Sequence, residues 1–331
     1  MRRTHLALIV LAATLVALLA ASLVGHASAR VQDGKITLVA YSTPREAYAK
    51  LVPAFNDTRA GRGTSFEQSY GSSGEQARAI VAGLKADVAA LSLEPDIITL
   101  VKAGLVDEGW KSNKYGGIVT RSVVVFAVRD GNPKKIRDWE DLIKPGVQVV
   151  TPNVQTSGGA KWNIMAAYGA IRKKGKTHAQ AVAYLRNLYR HIVSQDKSAR
   201  EALQTFLAGR GDVLLAYENE AIFAKSKGQE LPYVIPKATI RIENPIAVVK
   251  TSRNKDTARA FLNFLRTPRA QRIFAENGYR PVVPSAARGF SFPVRPLLFT
   301  IKYVGGWAKV DSRFFNSRSG IVTQIQRQTG R

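Results

Sequence analysis

Short apolar runs alternate with segments of helical periodicity along nearly the whole chain, and this alternation restricts the fold more than any other feature. Ile36 to Tyr41 reads as a strand, and Arg45 to Phe55 follows it with apolar positions at helical spacing. Pro44 suits the first turn of that helix and Thr43 its N-cap. Thr64 to Ser69 is a second strand and Ala77 to Leu84 a helix. Ala86 to Leu91 is a third strand and Pro95 to Ala103 a further helix. A β-α-β-α-β order predicts a parallel sheet with helices on its faces.

The order resumes with Arg121 to Arg129, which is rich in β-branched residues. Asp138 to Leu142 marks a short helix. Val147 to Val150 is a buried strand, and Ile164 to Ile171 a helix. Ala179 to Leu188 and Ser198 to Leu207 are helices, Gly211 to Tyr217 a strand, and Glu218 to Lys225 a helix. After Pro245, Ile246 to Val249 is a strand, followed by helices over Asp256 to Leu265 and Gln271 to Asn277. The final part is rich in Pro, Gly and aromatics, from Phe290 to Phe315, and is expected to wrap against the first lobe.

Two turns stand out, Gly71-Ser-Ser-Gly74 and Ser157-Gly-Gly159. Each lies between the carboxyl end of a strand and the start of a helix, the edge of an open α/β sheet where ligands bind. A helix start offers N–H groups without intrahelical acceptors and about half a positive charge. Glycine lets a ligand approach the backbone, and serine adds a hydroxyl donor. Such a turn can seat an anion; it can equally be an ordinary helix cap. Two of them, one in each lobe, could face each other across a cleft.

The chain of 331 residues opens with Met-Arg-Arg, an apolar run from Leu6 to Val24, and Ala27-Ser-Ala29. This is the pattern of a secretory signal peptide over residues 1–29. The remaining 302 residues exceed one typical core, so two lobes are expected. With no cysteine, the chain has neither disulfides nor a site for a lipid-modified cysteine. The formal charge of +25, or +23 without Arg2 and Arg3, is spread without runs of Lys and Arg or interleaved aromatics. That distribution fits a surface attractive to small anions or anionic polymers, or one charged for solubility, better than a nucleic-acid groove.

Signatures of catalysis are sparse. Gly71-Ser-Ser-Gly74 is not a nucleophile elbow, Gly61-Arg-Gly63 lacks a third glycine, and no phosphate-binding Gly-Lys-Ser/Thr loop is present. His178 and His191 are far in sequence from both Gly/Ser turns. Glu218 and Glu220 read as the acidic first turn of a helix, and no cluster has metal-ligand spacing. No catalytic residue, metal or cofactor is therefore expected.

Several segments resemble the prokaryotic sulfate- and thiosulfate-binding proteins of ABC transporters. They include Tyr41-Ser-Thr-Pro-Arg-Glu46, Gln68-Ser-Tyr-Gly-Ser-Ser-Gly-Glu-Gln-Ala77, Gly131-Asn-Pro133, Asp138-Trp139 and Lys144-Pro-Gly-Val147. Thr151-Pro-Asn153, Thr156-Ser-Gly-Gly-Ala160, Trp162-Asn163, Gly211-Asp-Val-Leu214, Glu218-Asn-Glu-Ala221, Tyr279-Arg-Pro281 and Gly305-Gly-Trp-Ala-Lys309 continue the series. Their order over nearly the whole mature chain is specific where each alone is weak. The resemblance implies a two-lobed, type II periplasmic-binding-protein fold, α/β throughout. Each lobe is a mostly parallel sheet flanked by helices, and the ligand sits in the cleft between lobes. Residues 30–119 with 245–331 form the first lobe and 120–244 the second.

The resemblance also implies a ligand set. Ser73 corresponds to a hydroxyl donor, Ser157, Gly158 and Gly159 to helix-start donors, and Ala199 to a backbone N–H. Thr43 stands where the family commonly has an aspartate, and Tyr217 where it has a tryptophan. Read from the residues alone, Thr43 suits a helix cap, Tyr217 a core aromatic and Ala199 a helix interior. Trp139, Trp162 and Trp307 are read as packing, and Glu75 is expected to point to solvent. Sulfate carries two charges and no proton at neutral pH, so a pocket of N–H and O–H donors satisfies it without countercharge. The expected function is capture of sulfate or thiosulfate for permease subunits, by a periplasmic monomer without nucleic-acid partners. Molybdate or phosphate binding, an envelope phosphate or sulfate ester hydrolase, and a basic protein binding acidic envelope polymers are the alternatives.

Overall fold

The computed structural model describes residues 34–229, 231–293 and 297–331. The expected signal peptide lies outside these residues. The strands and helices follow the anticipated alternation: β1 (Lys35–Tyr41), α1 (Arg45–Asn56), β2 (Ser65–Gly71), α2 (Ser73–Val81), β3 (Val88–Ala90) and α3 (Glu94–Lys102). After β4 (Ile118–Val128) come β5 (Val149–Pro152), α4 (Gly158–Lys173), α5 (His178–His191), β6 (Ile192–Asp196) and α6 (Ala199–Leu207). They are followed by β7 (Val213–Tyr217), α7 (Glu218–Ser226), β8 (Tyr233–Val234), β9 (Ala238–Val248), α8 (Lys255–Leu265) and α9 (Pro268–Glu276). The chain closes with β10 (Arg280–Pro281), β11 (Leu297–Phe299), α10 (Gly306–Phe315) and α11 (Ile321–Thr329).

The main strand order is β2-β1-β3-β9-β4-β7-β5-β6. β1 pairs in parallel with β2 and β3, and β5 in parallel with β6 and β7. Between the two parallel triples run β4 and β9, each of eleven residues and antiparallel to one another. Alternate residues of β4 enter separate cores. Val124, Phe126 and Val128 pack with α4 and α5, while Val123, Val125 and Ala127 pack with α6 and α7. Burial on both faces is why β4 reads as a continuous apolar run. In β1, Ile36, Leu38 and Ala40 likewise face α1 and α8, whereas Val39 faces α2 and α3.

Three differences from the expectation have physical reasons. β9 starts at Ala238, before Pro245, although proline reads as a strand breaker. Pro245 pairs with Ile118 of β4 beyond a register irregularity between Ile118 and Thr120, just before β9 passes to β3 at Ile246, so its missing N–H falls where the ladder is already irregular. β6 carries no alternating apolar pattern, because it closes the sheet edge and only Ile192 is buried. The terminal wrap divides between the two halves. Phe290 and Phe292 lie beside Arg272 and Arg280 of the first half. Phe299, Trp307, Phe314, Val322 and Ile325 instead complete the core beneath α4 and α5. That core has the larger apolar face to cover, since α4 is buried nearly all round.

Candidate functional site

The site forms because parallel strands direct their carboxyl ends to one place. β1 leads into Tyr41-Ser42-Thr43, β2 leads into Ser72-Ser73, and Ser92 follows β3. From the other half, Ser157 follows β5, Ala199 follows β6 and Tyr217 ends β7. Tyr41, Ser42, Thr43, Ser72, Ser73, Ser92, Ser157, Gly159, Ala199 and Tyr217 line one small pocket. The structure thus brings together six of the seven residues expected from the sequence. Gly158 stands just behind the wall. A Cβ there would lie 2.5 Å from Leu93 Cδ2 and 2.7 Å from Ser92 Oγ, so glycine permits the two halves to meet.

No charged side chain is among the lining residues. The pocket instead faces the starts of α2, α4 and α6, whose first-turn N–H groups lack acceptors within their own helices. Ser157 is the N-cap of α4, is 4% exposed and makes no capping hydrogen bond, which leaves its hydroxyl available. The Tyr41 hydroxyl is buried beside the Tyr279, Thr43 and Thr120 side chains, and burial pushes it up to about 12, so it stays protonated. Other hydroxyls are already engaged. Thr43 Oγ1 lies 2.9 Å from the Tyr279 hydroxyl, so it does not cap α1, whose N-cap position is Pro44. Ser92 Oγ lies 2.7 Å from the Tyr217 hydroxyl. Ser73 Oγ donates to Asp96 Oδ2 at 2.5 Å and accepts from the Ser92 N–H at 2.8 Å.

The two halves are stitched together around the pocket. Gly74 N–H donates to the Thr156 carbonyl at 2.9 Å, and Trp162 Nε1 to the Ser92 carbonyl at 3.0 Å. Trp162 also packs edge-on against Trp307, while Trp139 is buried against Phe126, both in the packing role expected of them. Arg200, the residue after Ala199, bridges Glu46 of α1 at 2.7 Å and Glu220 of α7 at 3.0 Å. Glu218 is fully buried and pairs with Arg280 at 2.7 Å. Burial raises both Glu218 and Glu220 against the opposing pull of their arginines. The acidic first turn of α7 is therefore also an anchor. Glu75 is half-buried and accepts the Ser72 hydroxyl at 2.5 Å instead of standing free in solvent.

Tyr41, Ser42, Ser72 and Ser92 are lining residues that the sequence reading did not select. Tyr41 and Ser42 end the first strand, and Ser72 lies inside the Gly/Ser turn, so strand-end position alone could have found them. Ser92 sits in Leu91-Ser-Leu93 without any turn signal. His178 bonds to Tyr168 and Arg313, and His191 to the Val147 carbonyl, both outside the pocket lining. Among the described residues no group of three metal-ligating side chains comes together, and no helix is long and apolar enough to cross a membrane.

A family model described as bacterial extracellular solute-binding protein matches residues 36–280. The chain belongs to that family. A sulfate-binding protein of Synechococcus elongatus is 44% identical over 86% of this chain and 84% of its own length. A thiosulfate-binding protein of Escherichia coli is 34% identical over 89% of this chain and 91% of its own. The solved structure of the sulfate-binding protein SubI from Mycobacterium tuberculosis superposes with a TM-score of 0.83 at 45% identity, covering 86% of this chain and all of that one. The solute-binding protein described above is thus related over most of its length to proteins named for capture of sulfur oxyanions.

Proposed function

We propose that this solute-binding protein captures sulfate or thiosulfate for the permease subunits of an ABC importer, without catalysing a reaction. The observation that carries the reading is a pocket walled by hydroxyls and helix-start N–H groups with no charged side chain among them. A proton-free dianion accepts hydrogen bonds only, and donors of this kind pair its oxygens without countercharge. Helix N-termini supply the favourable potential. The ligand contacts we assign are Ser73, Ser157, Gly159, Ala199, Thr43 and Tyr217, joined by Tyr41 and Ser42, with Gly158 holding the halves in register.

In this reading the chain has two lobes that hinge where β4 and β9 cross between the parallel triples. Residues 34–119 and 245–293 form the first lobe, 120–229 with 231–244 the second, and the segment from 297 rides with the second. The bonds from Gly74 to Thr156, Trp162 to Ser92 and Arg200 to Glu46 then belong to the closed form. A leader that exports the chain to the periplasm, and a monomeric state, complete the proposal. Titration calorimetry of the purified protein with sulfate, thiosulfate, molybdate and phosphate tests it. Saturable binding of sulfate or thiosulfate is expected, and binding of only molybdate or phosphate would transfer the reading to another tetrahedral oxyanion.

A further inference from the structure

Charge is spread evenly along the sequence but unevenly over the fold. No Asp or Glu occurs between Asp141 and Asp196, a stretch that contains α4 and α5, and Asp311 is the single acidic residue from Leu297 to Arg331. The two stretches meet in space, because α5 packs against both α4 and α11, and α11 against α10. The result is a helical layer on the second half with many cations and one carboxylate. That carboxylate is engaged, since Asp311 accepts Lys161 at 2.7 Å. On the adjoining segment Asp138 and Glu140 both hold Lys174, at 2.9 and 2.5 Å.

The cations are densest where the end of α4 meets α10. Arg172, Lys173, Lys176, Lys302, Lys309 and Arg313 gather there around Tyr303 and His178. The Lys173 ammonium lies 4.1 Å from the Tyr303 ring centroid, and Arg313 Nη2 donates to His178 Nε2 at 2.8 Å. Lys309 stands one helical turn before Arg313 on α10. Among the described residues no carboxylate pairs with any of the six. Burial, then Arg313 and Arg172, hold the His178 imidazole below its ordinary value, as a locally positive potential requires.

Two ordinary explanations fall short. Cations stabilise a helix C-terminus, which accounts for Arg172 and Lys173. Lys309 in the first turn of α10 and Lys176 just before α5 instead stand where the helix dipole opposes them. Steering of a small anion into the pocket is the second. The pocket lies at the start of α4 and the cations at its end, and its sixteen residues span about 24 Å. That is roughly three times the screening length of about 8 Å at physiological salt.

We infer that this face docks the protein on an anionic phospholipid surface, with the end of α4, α10 and Tyr303 toward the headgroups. The cations spread over four elements and suit a plane. The groove between α5 and α11 has Arg186 as its one permanent cation, so it offers no basic channel for a threaded polymer. Tyr303 is 44% exposed at the centre of the cluster, and an amphipathic ring belongs at headgroup level. The inference needs export of the chain but not the identity of the captured solute. Docking in this way confines the protein to the plane of a membrane partner, which raises its effective concentration there.

The test is cosedimentation with vesicles of the chain from Arg30 onward, the part that export leaves, which contains the compact unit Gly34–Arg331. The vesicles are phosphatidylcholine alone or an equimolar mixture with phosphatidylglycerol. Binding is expected with the mixture only, and should weaken as salt is raised. Each Lys or Arg near such a surface multiplies the partition by roughly fivefold, so Lys173→Glu, Lys176→Glu and Lys309→Glu together should lower it by at least about tenfold. The same change of charge on the first half, through Lys50→Glu, Arg59→Glu and Arg62→Glu, should leave most of the binding. Thermal melting checks that both triples fold, and glutamine at Lys173, Lys176 and Lys309 gives a smaller loss in the same direction should the first triple unfold. Equal binding to both kinds of vesicle, or equal losses from the two triples, would overturn the inference. So would capture of soluble polyglutamate without retention by the anionic vesicles, which would assign the face to an acidic polymer. Sulfate titration of the same samples reads the pocket separately, so failure there leaves this result standing.

Discussion

Gly158 shows how much one methyl group decides in this protein. Its neighbour Gly159 lies in the pocket wall, where an added Cβ would come to 3.3 Å from Ser157 Oγ. At Gly158 an added Cβ would strike both Leu93 and Ser92 below 3 Å, across the line where the two halves meet. Gly158→Ala should therefore weaken anion binding by at least about tenfold, roughly 1.4 kcal/mol, while thermal melting without ligand changes little. An affinity equal to that of the unaltered chain would show that the halves accommodate the methyl group. The seven residues drawn from the sequence included Gly158 as a donor to the ligand. Its spacing beside Ser157 was legible, but its contact with Leu93 is not, because residues 65 positions apart carry no local signal of each other.

At the scale of one element, α4 opposes intrinsic propensity to packing. It is a sixteen-residue helix with Gly169 in its interior, where alanine would ordinarily stabilise by about 0.5–1 kcal/mol. The Phe299 ring of β11 occupies the space, 2.3 Å from the position of an added Cβ. Gly169→Ala should thus destabilise the protein by about 1–3 kcal/mol, read as a lower midpoint in denaturant unfolding, and a raised midpoint would count against this packing. The same helix shows that turn chemistry, not periodicity, marks its start at Ser157. Periodicity begins at Ile164, but the first turn is Gly-Gly-Ala, small residues that the site and the opposing half require.

For the whole molecule, the Arg200 bridge joins α1 of the first half to α6 and α7 of the second. Burial works against the Glu46 charge, but the Arg200 guanidinium outweighs it and holds the carboxyl below its ordinary 4.5. A carboxyl depressed in the folded state contributes stability above its unfolded pKa and loses it as pH falls through the folded value. Because Glu46 is about a quarter exposed and Arg200 keeps Glu220, the pair is worth about 1 kcal/mol at neutral pH. Glu46→Gln should lower unfolding stability by that amount at neutral pH, and the difference should shrink toward zero well below pH 4.5. A difference constant across that window would place the effect in packing rather than charge. By itself the sequence determined the alternation of strands and helices, the first parallel triple and the two Gly/Ser turns, because hydrophobic period and turn chemistry are local. Only the tertiary structure decided that β9 runs through Pro245 and that the terminal aromatics divide between the halves. It also decided that Ser92 joins the pocket and that the Ser73 proton points at Asp96. These depend on which surfaces remain uncovered once the sheet has formed, and on partners far apart in the chain.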